Sequence, residues 1–260
     1  MRSFVRRSAR VLLGATAGAL TAQYVPSVLT LGAFASRARP GLGGSLPANL
    51  CTWWGPTDTA QVALTFDDGP SAIGTSPILD ALDDLGLKAT FFFLGSLIAQ
   101  EKDLVLETVR RGHQVETHGH EHRHHLLRGP FWPHSDLTSA LRTMDEIGLA
   151  PNWFRPSYGQ LTGATLLAAR RHHLGIVLWS AWGREWSEND PEIVSSRVAR
   201  DLGPGCIVLL HDNDAFGQPG MWRTSLEALP MIASELGRRS LKSVTLDQLA
   251  AGERELVKGL

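Results

Sequence analysis

The sequence predicts an α/β fold built on one parallel sheet, closed or doubly wound. Three observations lead there. Short runs rich in β-branched and aromatic residues recur along the chain, apolar stripes of helical period fall between them, and polar clusters follow the runs at their carboxyl ends. A helix between two strands carries the chain back along the sheet, so successive strands run the same way. With 260 residues there is enough chain to bury the core of one barrel-sized domain.

Taken in order, the strand-like runs are 62–66, 89–94, 114–117, 153–155, 175–179, 206–210 and 242–245. Ile78, Leu79, Leu82 and Leu85 share one face of the helix after the first run. Ser135 reads as the N-cap of a helix reaching Ile147, which Gly148 ends. Leu166, Leu167 and Arg170 lie on one face of a further helix, and Leu226, Leu229, Ile232 and Leu236 mark the last, with Pro230 set to kink it. No internal repeat or low-complexity tract interrupts the series.

Before these elements the chain changes character. Arg2, Arg6, Arg7 and Arg10 precede an uncharged stretch, residues 11–35, long enough to span a bilayer. Ala33-Phe34-Ala35 before Ser36 also suits signal cleavage. The expected organisation is a membrane-targeting segment at 1–40 (signal peptide or anchor), a linker and lead-in at 41–58, and the folded domain at 59–260. That domain is expected outside the cytoplasmic membrane. Residues 1–57 hold no Asp or Glu, so all 26 acids fall on the remainder, a poor surface for gripping nucleic acid. Cys51 and Cys206, the only cysteines, can form neither a disulfide scaffold nor a cysteine zinc site. Two buried free thiols are expected.

The chemistry gathers at the carboxyl ends of the strands, where parallel barrels place it. Thr65-Phe66-Asp67-Asp68-Gly69-Pro70 sets two carboxylates at a strand end, where the backbone turns and both can converge. Such a pair needs a cation between its members, or one member tuned to accept a proton. His118 and His122, four apart, fall on one side of a turn. With Asp68 they make a nitrogen, nitrogen, oxygen set suited to a catalytic divalent metal. His113, His120, His124 and His125 lie in the same segment, so spacing alone leaves the ligand choice open. His120 points away if the backbone there is extended.

These motifs, in this order, resemble the polysaccharide deacetylase family, the metal-dependent carbohydrate esterases. The resemblance covers Gln61 to about Val244 and implies a distorted seven-stranded (β/α) barrel, in agreement with the strand count. It implies Asp67 as catalytic base and Asp68, His118 and His122 as ligands of one divalent metal, zinc or alternatively cobalt or another divalent ion. Arg155-Pro156-Ser157-Tyr158-Gly159 resembles the third motif, with Arg155 orienting the base and the Tyr158 amide holding the oxyanion. Val208-Leu209-Leu210-His211-Asp212 resembles the last, with His211 as general acid and Leu210 lining the acetyl pocket.

The chain departs from the family pattern at Gly119, Ser157 and Val208, and most in the fourth motif. There Trp182 and Glu185 stand where two Asp are usual. Glu185 is expected beside His211, and Trp182 and Trp186 against the sugar. The implied activity is removal of N-acetyl, or O-acetyl, groups from a carbohydrate such as peptidoglycan or chitin-like oligomers. Rival readings are a same-fold hydrolase of a non-sugar amide and a non-catalytic glycan-binding protein. The expected partners are the acetylated carbohydrate and, through the N-terminal segment, the membrane. A monomer is expected.

Overall fold

β1 (Gln61–Asp67) is buried along its length after Gln61, as a strand must be when both faces of its sheet are covered. The computed structural model describes residues 51–251. In it β1 is flanked by β2 (Ala89–Phe93), β3 (Gln114–Thr117), β4 (Trp153–Phe154) and β5 (Gly175–Ile176) on one side. β7 (Ile207–His211) and then β6 (Ala181–Trp182) lie on the other. The path β5-β4-β3-β2-β1-β7-β6 is parallel throughout, and β8 (Lys242–Ser243) pairs with the first residues of β1. This is the curled parallel α/β sheet that the sequence implies, seven strands along the path with β8 added beside β1. All seven expected runs form strands. β6 was not expected, because two residues carry no period; its ladder with Val208 and Leu209 of β7 makes it a strand.

Among the described residues the sheet is flanked by α1 (Thr75–Asp84), α2 (Gly95–Ile98), α3 (Lys102–Arg110), α4 (Trp132–Asp145), α5 (Gly163–Arg171), α6 (Pro191–Asp201) and α7 (Met221–Arg238). Ser135 is not a cap. α4 starts a turn earlier behind Phe131, because Pro133 fits the first turn, where its missing N–H is no loss. Ser135 Oγ instead donates to the Trp132 carbonyl at 3.0 Å. Gly148 does close this segment, at φ 76° and with its N–H on the Asp145 carbonyl. α7 continues through Pro230.

Alternation along the strands sorts the core into two layers. Phe66, Phe91, Phe93, Val208 and Leu210 face outward onto Ile78, Leu82 and Leu229 of the helices. Ala63, Phe92, Phe154, Ile207 and Leu209 face inward with Trp179. Each fully buried Phe or Leu is worth about 1.5–3 kcal/mol relative to exposure. The inward set also carries Thr65, Asp67 and His211, so the inner core ends in the polar rim.

The expected lead-in at 41–58 joins this packing from Cys51 onward. Thr52 donates to the Ile176 carbonyl at 2.8 Å, and Trp54 bridges to Cys206. Cys51 and Cys206 are free and buried, as expected, and burial pushes the Cys51 thiol up to about 12. The segment expected at 1–40 lies outside the described residues. Among the described residues no helix is long and apolar enough to cross a membrane.

Candidate active site and metal centre

β1 delivers Asp67 on its inner face, and the next residue turns the chain. Asp68 has φ 79°, a left-handed conformation that a short acidic side chain tolerates. Both carboxylates thereby reach one volume. The turn is gripped from β7: Asn213 Nδ2 donates to the Asp68 carbonyl at 3.0 Å, and the Asp212 carboxylate presses against Gly69. A Cβ at position 69 would lie 2.3 Å from Asp212 Oδ2, so only glycine fits. Thr75 Oγ1 donates to that oxygen at 2.5 Å. Burial, reinforced by the charges of Asp68 and Asp67 against this hydrogen bond, pushes Asp212 up to about 7.

Asp68 Oδ1 lies 3.4 Å from His118 Nε2 and 3.3 Å from His122 Nε2. The three ligand atoms fall within 4.8 Å of one another. Asp68 Oδ1 is buried yet accepts no hydrogen bond, which an isolated carboxylate in a protein interior rarely tolerates. A cation beside it would satisfy it, and two imidazoles with one carboxylate suit zinc. Burial opposes the charge of Asp68, but attraction to His118, His211 and His122 outweighs it and brings the carboxyl to about 2. Burial holds His122 down to about 4 despite Asp68, which leaves a neutral nitrogen able to ligate.

The loop carrying both imidazoles is pinned by a residue that spacing did not reveal. Asp136 of α4 is buried and accepts the His120 and Glu121 amides, each at 2.9 Å. Gly119, at φ 90°, passes so close that a Cβ would lie 2.6 Å from Asp136 Oδ2. This accounts for the glycine at that position. The other histidines are placed elsewhere. His120 packs against Gly95, His125 bonds Thr165 Oγ1 at 2.9 Å, and His113 accepts from the Ala89 amide. His124 stacks on Tyr158 with ring centres 3.8 Å apart.

Arg155, fully buried at the end of β4, donates from one nitrogen to Asp67 Oδ1 and Thr65 Oγ1, each at 2.7 Å. Its other terminal nitrogen reaches the Leu178 carbonyl at 3.1 Å, and its plane covers the Phe92 ring. Burial pulls the guanidinium below its usual range, with Asp67 pulling back. One Asp67 oxygen is thus held, while the other faces His118 Nδ1 at 4.0 Å.

β7 sets His211 in register with Asp67. Its Nδ1 lies 2.7 Å from Glu185 Oε1, and Glu185 is fully buried. Arg184, at φ 64°, swings the chain into the 3-10 turn Glu185–Ser187. Gln218 anchors that turn through the Glu185 carbonyl at 2.6 Å. Burial would strip His211 of its proton, but the Glu185 hydrogen bond and charge overcome this and raise it to about 9. Trp186 meets His211 edge-on, Trp182 follows at 5.4 Å between ring centres, and Arg184 lies over Trp182. Tyr158, half exposed at φ 59°, stands against His122, and its amide has no hydrogen-bond acceptor among the described residues.

One expected position does not fit. Leu210 points outward into the helix-facing core, since neighbours of His211 along a strand face away from it. Leu209 shares the inner side with Trp179, Trp182 and Trp186. Counting two back from His211 would have found it. Phe216, whose ring lies 4.4 Å from His122 on a loop, carried no comparable signal.

The sequence profile described as polysaccharide deacetylase matches residues 55–177. A peptidoglycan-N-acetylglucosamine deacetylase of Listeria monocytogenes is 30% identical over 199 residues, 76% of this chain and 40% of the relative. The chain therefore spans about two fifths of that relative's length. A chitooligosaccharide deacetylase of Bradyrhizobium is 31% identical over 202 residues, 74% of this chain and 91% of the relative. Among solved structures, a family 4 carbohydrate esterase from Streptomyces lividans in complex with acetate is similar with a TM-score of 0.64 and 32% identity, covering 70% of this chain and 91% of that one.

Proposed function

The chain belongs to the polysaccharide deacetylase family, and from that membership we propose that it removes N-acetyl, or O-acetyl, groups from a carbohydrate such as peptidoglycan or a chitin-like oligomer. One observation carries this reading. A carboxylate held by a buried arginine and an imidazole held by a buried glutamate end neighbouring strands in register, with the Asp68, His118 and His122 cluster beside the carboxylate.

Asp68, His118 and His122 would hold a divalent cation, with zinc the best match to the donor set and cobalt admissible. Bound there, the cation supplies Lewis acidity to the acetyl carbonyl and to water. Asp67, with one oxygen fixed by Arg155, takes the proton of the attacking water on the other. The Tyr158 amide donates to the oxygen that gains charge. His211, kept protonated by Glu185, hands its proton to the departing amine, leaving acetate and a free amino sugar. Leu209 flanks the acetyl methyl, and the faces of Trp182 and Trp186 receive the sugar. The Arg-led segment at 1–40 would place this chemistry outside the cytoplasmic membrane, where peptidoglycan lies.

The test is acetate release from peptidoglycan fragments, chitin oligomers and acetylated xylan, before and after chelation and with zinc restored. Release that chelation abolishes and zinc restores is expected. Glycan binding without release at saturating zinc would overturn the assignment in favour of a binding protein. Release only from non-sugar amides would overturn the substrate class.

A further inference from the structure

Away from the strand-end rim, on the outer helix layer, two imidazoles face each other across α4 and α5. His134 lies in the first turn of α4, and His172 caps the end of α5. His134 Nδ1 and His172 Nε2 are 3.1 Å apart, with ring planes inclined by 19° and centres 4.8 Å apart. We propose that His134 and His172 form a second transition-metal site, taking a borderline divalent ion of the nickel, copper or zinc class, distinct from the Asp68 cluster.

The two nitrogens share a hydrogen bond, which a bound ion would replace. Two nitrogens each about 2.0–2.1 Å from one ion at near-tetrahedral or square angles sit roughly 2.9–3.4 Å apart. The observed separation falls in that window. The ring planes are nearly parallel, inclined by 19°. Thr138 Oγ1, 3.2 Å from His172 Nε2, offers a weak third oxygen, and exposed His134 leaves room for water to complete the shell. Burial and then His134 hold the His172 imidazole below its usual range, so its nitrogen is free of a second proton near neutrality. Binding shifts the bridging proton to the outer nitrogen of its ring, and no net proton need leave.

Imidazole pairs prefer these ions to magnesium or calcium. An ion there would brace α4, whose next turn carries Asp136.

Nickel titration of the untagged full-length chain by calorimetry tests this. Wild type should show two classes of site. His134→Gln and His172→Gln should each lose the weaker class and keep the stronger, while Asp68→Asn should keep the weaker one. The weaker class should also raise the melting temperature of Asp68→Asn, and His172→Gln in that background should abolish the rise. A single class in wild type that Asp68→Asn removes, or a weaker class that survives both histidine substitutions, would overturn the proposal.

Discussion

His122 and His211 stand on the same rim, each with its side chain almost withdrawn from water and each beside a carboxylate, yet they are driven to opposite charge states. His122 is held down to about 4, whereas His211 is raised to about 9. Burial acts against the charged form in both. The difference lies in the partner. Glu185 serves His211 alone through a 2.7 Å hydrogen bond. Asp68 is shared between two imidazoles at 3.3 and 3.4 Å, and each imidazole also repels the other. The shared, unbonded carboxylate leaves His122 neutral, whereas the exclusive, bonded one keeps His211 protonated. The two halves of the site thus obtain different chemistry from the same pair of residue types.

Substitution at the two adjacent carboxylates is the strongest way to break this division. Asp67→Asn is expected to lower turnover by about 10²–10⁴ while zinc still binds. Asp68→Asn should lose zinc itself. Calorimetry with zinc beside acetate-release rates decides it, and equal loss of metal in both variants would end the division.

Leu210→Ala should cost about 2–5 kcal/mol of stability in a denaturant titration, because its side chain fills the helix-facing core. Turnover of the folded variant should stay near wild type. A selective loss of turnover with little loss of stability would return Leu210 to the acetyl pocket.

Asp136→Ala should weaken zinc binding by about 10–100-fold, by releasing the loop that aims His118 and His122. The alkaline limb of the rate profile should not move, since that limb belongs to the other half. An unchanged zinc affinity would show that the loop holds its shape without the carboxylate.

The smallest effect sharpens the comparison most. As the proposed general acid His211 must be protonated, so activity is expected to fall as pH rises through its pKa of about 9. Glu185→Gln removes the charge that raised it, and the alkaline limb should move down toward the ordinary histidine range. Turnover between about pH 7 and about pH 7.5 then falls by roughly four- to tenfold. The acid limb should stay in place. Two unmoved limbs would detach Glu185 from the reaction.

Much of this was legible in advance because the parts in question are local. Asp67 ends β1 and Asp68 follows it, His118 and His122 are four residues apart, and His211 ends a strand. The residues that hold them are not local. Asp136 reaches back to the amides of His120 and Glu121, and Asn213 crosses from β7 to the β1 turn; neither has a spacing that sequence periodicity can register. Ser135 looked like a cap because its type suits one, but Pro133 had already started the helix. Leu210 was placed by motif position where strand alternation would have chosen Leu209.

By itself the sequence determined the alternation of strands and helices, the residue types on the rim and their order, because those depend on period and on neighbours along the chain. Spacing alone left open which of six clustered histidines meet Asp68; the family resemblance named His118 and His122 and set Glu185 beside His211, and the tertiary structure supplied the distances. It also decided that two like pairs titrate in opposite directions. Charge state depends on burial and on distances across the barrel, and a linear spacing does not carry a distance between strands.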